Sequence, residues 1–347
     1  MNYLITGGCG FVGSHLSERL LLAGHEVTVL DDLSTGRYDN VGHLEGHPRF
    51  RLLIGSVLDM ELLSDAVRSC EAIFHLASAV GVRLIMDKPV DTIERIVQGT
   101  DHVLRLASRY RKPVLLTSTS EVYGKSANIP FQEEGDRLEG PTHKHRWAYA
   151  CAKALDEFLV LAHWKESRLP VIVTRLFNTV GPRQTGQYGM VIPNFVQRAL
   201  AAEPINVYGD GKQTRCFAHV QDVVEALMNL MACPAAYGQV VNVGSQEEIS
   251  ILGLAQKVKE MTHSDSEIRL LPYAEAYGEG FEDMQRRVPC LNKIRTLIRW
   301  APRRNLQNIL EDVIEAFAGD AFHPRVNGSA QASAKVASRV NPSVAAF

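Results

Sequence analysis

Three glycines spaced three apart, Gly7, Gly10 and Gly13, stand between an apolar run, Tyr3-Leu-Ile, and an amphipathic stretch reaching about Ala23. Glycine lets a backbone turn sharply and come close to a ligand. In a strand–turn–helix setting this spacing is that of a dinucleotide-binding turn. The pyrophosphate then sits at the helix N-terminus, where unpaired N–H groups point outward. The second strand, Glu26-Val-Thr-Val-Leu30, runs into Asp31. A carboxylate there accepts from the adenosine ribose hydroxyls and repels a 2′-phosphate, so NAD is expected over NADP. Arg37, in Ser34-Thr-Gly-Arg37, argues the other way, but it lies beyond the strand end.

The alternation continues down the chain. Strands are expected at 49–54, 72–76, 114–117 and 171–174, and helices at 60–69, 90–109 and 149–166. Strand alternating with helix implies an α/β fold, a doubly wound parallel (Rossmann) sheet. After Asn178 the rhythm breaks, with Pro182, Gly186, Gly189, Pro193 and Val207-Tyr-Gly-Asp-Gly211 suggesting a smaller C-terminal lobe of loops and short elements. Segments 216–231 and 240–243 read as returns to the main sheet, so the lobes interleave. The expected division is a dinucleotide-binding domain at 1–177 with returns near 214–243, and a substrate lobe at 178–320. A disordered tail at 324–347 has few large apolar residues and no amphipathic period.

Composition excludes some classes. A formal net charge of -2 makes no electrostatic case for nucleic acid or an anionic membrane. No apolar run is long enough to span a bilayer, and a first strand at Asn2 leaves no room for a signal peptide. The twelve histidines form no Cys/His pairs at zinc spacing, so no metal is expected. Six dispersed cysteines fit reduced thiols in the cytoplasm, and Cys151 is expected as a small apolar filler.

Tyr149 and Lys153 stand four apart in Arg146-Trp-Ala-Tyr-Ala-Cys-Ala-Lys153, on one face of a helix. An ammonium beside a phenol favours the phenolate, so Tyr149 is expected to accept a proton near neutral pH. A nicotinamide beside such a base takes hydride from the same alcohol carbon. Strand 114–117 leads into Ser118-Thr-Ser-Glu121, at the strand end where a doubly wound sheet binds ligands. The hydroxyls of Thr119 and Ser120 are expected on the substrate hydroxyl, and Glu121 as a second proton-transfer group.

With Thr119-Ser-Glu-Val-Tyr-Gly124, Gly140-Pro-x-x-Lys-x-Arg-Trp-x-Tyr-x-x-x-Lys153, Phe177-Asn178, Gly211-Lys-Gln-x-Arg-Cys-Phe217 and Tyr277-Gly-x-Gly-Phe-x-Asp283, the chain resembles the extended short-chain dehydrogenase/reductases acting on nucleotide sugars. It is most similar to the UDP-glucuronic acid decarboxylases, over about residues 1–320. The resemblance implies oxidation at the sugar C4 by NAD, loss of CO2, and release of a UDP-4-keto-pentose or UDP-xylose. A UDP-sugar 4-epimerase is the alternative, followed by a 4,6-dehydratase or a non-catalytic NAD-binding protein. It implies that Phe11, Val12, Asp32, Ser56, Val57, Leu76, Ala77 and Thr117 join the glycines, Asp31, Tyr149 and Lys153 around the cofactor. Arg287, in Arg287-Val-Pro289, would meet the sugar carboxylate. Asn178 and Arg215 would meet the diphosphate, Tyr208 the nucleobase region, and Val191 the substrate. Such relatives pair the 90–109 and Tyr149 helices into a four-helix bundle, so a homodimer is expected. Departures are Ser56 for a usual Asp near the adenine, Ile96 for a common Asn, Cys290 for a common Asp, and no arginine at Met190 or Val191.

Overall fold

The computed structural model describes residues 1–78, 89–186, 190–273, 275, 282 and 284–322. In chain order the first elements are β1 (Asn2–Thr6), α1 (Phe11–Leu22), β2 (Glu26–Asp31), β3 (Phe50–Ile54), α2 (Met60–Ser69), β4 (Ala72–His75) and α3 (Pro89–Tyr110). Next come β5 (Val114–Thr119), α4 (Ala148–Ser167), β6 (Val171–Leu176), β7 (Thr179–Val180), α5 (Val191–Leu200), β8 (Ile205–Tyr208), β9 (Thr214–Cys216) and β10 (Ala218–His219). The chain continues through α6 (Val220–Met231), β11 (Gln239–Val243), β12 (Glu248–Ser250), α7 (Ile251–Met261), β13 (Ile268–Leu271), β14 (Arg286–Arg287), α8 (Asn292–Ile298) and α9 (Leu306–Phe322).

Seven strands make one parallel sheet in the order β3-β2-β1-β4-β5-β6-β11. Successive strand side chains point to opposite faces, and both faces are apolar, as a sheet covered on both sides requires. Ile5 and Leu115 face a layer holding Leu16 and Leu20 of α1, Val223 and Leu227 of α6 and Ile294 of α8. Their neighbours Leu4 and Leu116 face Leu63 of α2, Val103 and Leu104 of α3 and Val160 of α4. Between β1 and β4 the strand order reverses, which opens a crevice at the carboxyl ends.

The second lobe is built from short pairings. β9 lies between antiparallel β12 and parallel β14, and β8 pairs with β13. Ile192, Phe195 and Val196 of α5 pack with Leu254 and Val258 of α7 and Leu310 of α9 in their own core. β11, which follows β8 to β10 in the chain, lies beside β6 in the main sheet. The tail at 324–347 is outside the described residues. Among the described residues no helix is long and apolar enough to cross a membrane.

A buried ion pair sets α4 against the sheet. Arg175 of β6 donates to both oxygens of Glu157 on α4, at 2.7 to 3.2 Å, and Ser118 Oγ donates to the same carboxylate at 2.5 Å. The Arg175 guanidinium also lies 4.7 Å from the Tyr123 ring centroid. A forked guanidinium–carboxylate pair fixes orientation as well as distance, so Tyr149 at the start of α4 is aimed at the end of β5.

Candidate active site

One cavity of about 760 Å³ runs along the carboxyl ends of the strands and into the second lobe. It is lined by every residue expected at the site except Lys153.

At one end the glycine turn has no room for side chains. A Cβ on Gly13 would lie 2.4 Å from the Gly7 carbonyl oxygen, and one on Gly7, at φ +74°, would lie 2.7 Å from the Ala77 nitrogen. Gly10, before α1, makes no side-chain cap, so the first N–H groups of that helix face the cavity without a capping oxygen. Asp31 accepts from the Cys9 and Leu33 nitrogens at 2.9 and 2.8 Å, and a carboxylate has acceptor capacity beyond two bonds. Burial raises its pKa, against the lowering effect of those two bonds. Arg37 turns to Asp39 at 3.0 Å, and Ser56 Oγ accepts from the Leu58 nitrogen at 3.2 Å. A cradle that Cβ atoms would fill, closed by acids rather than a free cation, fits a dinucleotide with unmodified ribose hydroxyls.

The middle of the cavity holds Tyr149. Its ring packs on Ile96 and Ala152, so the residue that replaces a common Asn adds an apolar wall. Burial pushes the phenol well above its ordinary pKa, and the carboxylates of Glu121 and Asp156 push it further, against opposing hydrogen bonding from Thr119. This is opposite to the shift expected from a lysine neighbour. Lys153 instead places its Nζ 3.1 Å from Asp156 Oδ2, both side chains almost fully buried. Asp156 is one turn on along α4. Its own pKa is raised, by burial first, with Lys153 and Thr100 acting against it.

Glu121 sits between two cations. Arg287 Nη2 lies 2.5 Å from its Oε1 and Arg146 Nη1 lies 2.5 Å from its Oε2. Burial alone would raise this carboxyl, but the two guanidiniums outweigh it and hold it well below the usual carboxylate range. Both of its oxygens are held by guanidiniums, which favours an ionised carboxylate over the proton donor of a general acid. Arg287 Nη1 also reaches Ser120 Oγ at 3.5 Å and Asn178 Oδ1 at 3.4 Å, while its buried Nε has no hydrogen-bond partner among the described residues.

Toward the second lobe the wall includes Asn178, Val191, Tyr208 and Arg215. Asn178 Nδ2 donates to the Cys216 carbonyl at 2.9 Å, and Arg215 Nη1 to the Thr214 carbonyl at 2.9 Å, which fixes each polar tip where its residue lines the cavity. Most of the 277–283 motif is outside the described residues; its Glu282 accepts from Trp147 Nε1 at 3.1 Å. Cys151 is exposed, not a core filler, because two residues beyond Tyr149 a helix faces the other way. Sequence reasoning passed over Arg146 and Asp156. Asp156 was within reach of the i,i+3 rule applied to Lys153.

The sequence signature of the GDP-mannose 4,6 dehydratase family matches residues 4–313. A UDP-N-acetyl-alpha-D-glucosaminuronate decarboxylase of Bacillus cytotoxicus is 40% identical over 315 residues, 90% of this chain and 97% of that protein. UDP-glucuronic acid decarboxylase 1 of Danio rerio is 38% identical over 324 residues, 93% of this chain and 74% of that one. The fold matches a dTDP-glucose 4,6-dehydratase of Bacillus anthracis, solved in complex with NAD, at a TM-score of 0.81 and 25% identity, covering 92% of this chain and 97% of that one.

Proposed function

The chain belongs to the GDP-mannose 4,6 dehydratase family, the nucleotide-sugar branch of the short-chain dehydrogenase/reductases, and we propose that it is an NAD-dependent decarboxylase of a UDP-uronate, UDP-glucuronic acid foremost. One observation carries the reading: beside Tyr149, two guanidiniums and one carboxylate leave a single positive charge facing the cavity. That matches one sugar carboxylate. Ser120 stands where dehydratases of this resemblance carry an acid, which argues against loss of water.

NAD+, when bound, supplies the hydride acceptor for the sugar C4. Tyr149 Oη takes the C4 hydroxyl proton, and Thr119 Oγ1 stabilises the charge that develops on O4. Arg287 holds the carboxylate at C5. With a ketone at C4 the acid is a β-keto acid, so the C5–carboxylate bond breaks with its electrons passing into the C4 enolate, and CO2 leaves. A proton then goes to C5. Glu121, kept ionised, serves as anchor and not as that acid. The sugar leaves as the 4-keto-pentose or is reduced at C4 to UDP-xylose.

Incubation with UDP-glucuronate and NAD+ is expected to release CO2 and a UDP-pentose. Conversion to UDP-galacturonate without CO2 would make the protein a 4-epimerase. The Bacillus relative favours a second reading, the same reaction on UDP-N-acetylglucosaminuronate. The ratio of kcat/KM for the two uronates decides between them.

NAD+ is expected to bind at least roughly fivefold more tightly than NADP+, since like charges about 4 Å apart cost at least ~1 kcal/mol even in water. Calorimetry with both cofactors checks this; equal affinities would take Asp31 off the ribose. α3 and α4 pack side by side and expose Val90, Ile93, Leu155 and Phe158, with Val90 66% and Phe158 62% exposed. These fit a homodimer through the two helices. Light scattering at micromolar concentration should give twice the chain mass of 38.4 kDa, and a monomer mass would overturn the dimer.

A further inference from the structure

Arg146 lies in a single 3-10 turn (His145–Trp147) just before α4, and its side chain is only 4% exposed. Its guanidinium lies 5.4 Å from the ring centroid of Trp147, which is itself buried. The fold thus buries a cation against one oxygen of Glu121 while Arg287 takes the other. Two cations on one carboxylate is not what stability alone selects, because each buried charge must be taken out of water.

We propose that Arg146 sets the selectivity of this cavity for an acidic sugar by acting through Glu121. It occupies one carboxylate oxygen, so that the cluster keeps one net positive charge and Arg287 is left to hold the sugar carboxylate. The inference rests on the UDP-uronate reading above. Without Arg146 the count becomes one cation and one anion, and the bare Glu121 oxygen faces an incoming carboxylate of like sign. The neighbouring ion pairs do not change this count: Lys153 with Asp156 and Arg175 with Glu157 are each neutral as pairs. The unpartnered Nε of Arg287 is a donor still open to a ligand. Arg146 is therefore a positioning residue for the Glu121–Arg287 pair.

The test is calorimetry on protein loaded with NADH, which cannot oxidise the sugar, using UDP-glucuronate and the neutral UDP-xylose. Arg146→Met should weaken UDP-glucuronate roughly 30-fold, because like-charge juxtaposition in a closed site is costly, and UDP-xylose less than about threefold. Adding Glu121→Gln to Arg146→Met should restore most of the UDP-glucuronate affinity, since it returns the net charge to +1. Arg146→Lys, which keeps the charge, should stay within about fivefold of wild type and stands in if Arg146→Met does not fold. Equal losses for the two ligands, no rescue by Glu121→Gln, or a lysine variant as weak as the methionine one would each overturn the proposal. Failure of the uronate reading shows separately, as wild-type protein that binds both ligands alike and releases no CO2 from either uronate.

Discussion

Tyr149→Phe is expected to lower CO2 release from UDP-glucuronate by roughly 100-fold or more, about 2.7 kcal/mol in the barrier, while the protein folds and binds NAD+ as before. The substitution removes one oxygen and keeps the ring that packs on Ile96 and Ala152. The cofactor's glycine cradle and acids lie elsewhere along the cavity. The size of the effect is that of a lost general base; burial, Glu121 and Asp156 all raise the pKa of this phenol. A raised pKa also means that proton acceptance depends on cationic partners, Lys153 among the chain's own groups. Steady-state CO2 release, a thermal melt and an NAD+ titration check the three parts. Turnover close to wild type would remove Tyr149 from the chemistry.

The backbone and most of the cavity were legible because their signals are local. Gly13 is required by the backbone of its own turn, and Asp31 is placed by the end of one strand, whereas the close approach that excludes a side chain at Gly7 comes from Ala77, just past β4. Strand and helix alternation survives in sequence because both faces of the sheet are buried. What sequence did not show depends on contacts between distant segments. Arg146 reads as one more surface cation until Glu121, at the end of β5, is brought against it. Lys153 was placed beside Tyr149 by helical spacing, but its partner was decided by an acid one turn further along the same helix. Glu121 reads as a second proton-transfer group for the same reason: nothing in Ser118-Thr-Ser-Glu121 announces two guanidiniums, one of them from β14. The apolar residues of α4 lie on several sides, so periodicity could not separate the exposed Leu155 and Phe158 from the buried Val160.

Arg287→Lys should then cost the uronate roughly 1.5–3 kcal/mol, a fall of about 10- to 150-fold in kcat/KM, the range of a hydrogen bond to a charged group. The charge count is unchanged by this substitution, so the loss isolates geometry. Arg287 presents one nitrogen to Glu121, another toward Ser120 and Asn178, and a third that is open. A lysine ammonium is a single point on a flexible stem and cannot hold Glu121 and a carboxylate in two parallel bonds at once. At position 146, where one contact to one oxygen is needed, lysine is expected to suffice; at 287 it is not. Binding of UDP-xylose, which has no carboxylate, should fall less than about threefold, and the melting temperature should hold because the ion pair to Glu121 survives. Parallel kinetics on UDP-glucuronate and calorimetry on UDP-xylose read the difference. If both ligands lose equally, Arg287 belongs to the diphosphate instead, and the case for an acidic sugar loses its main support.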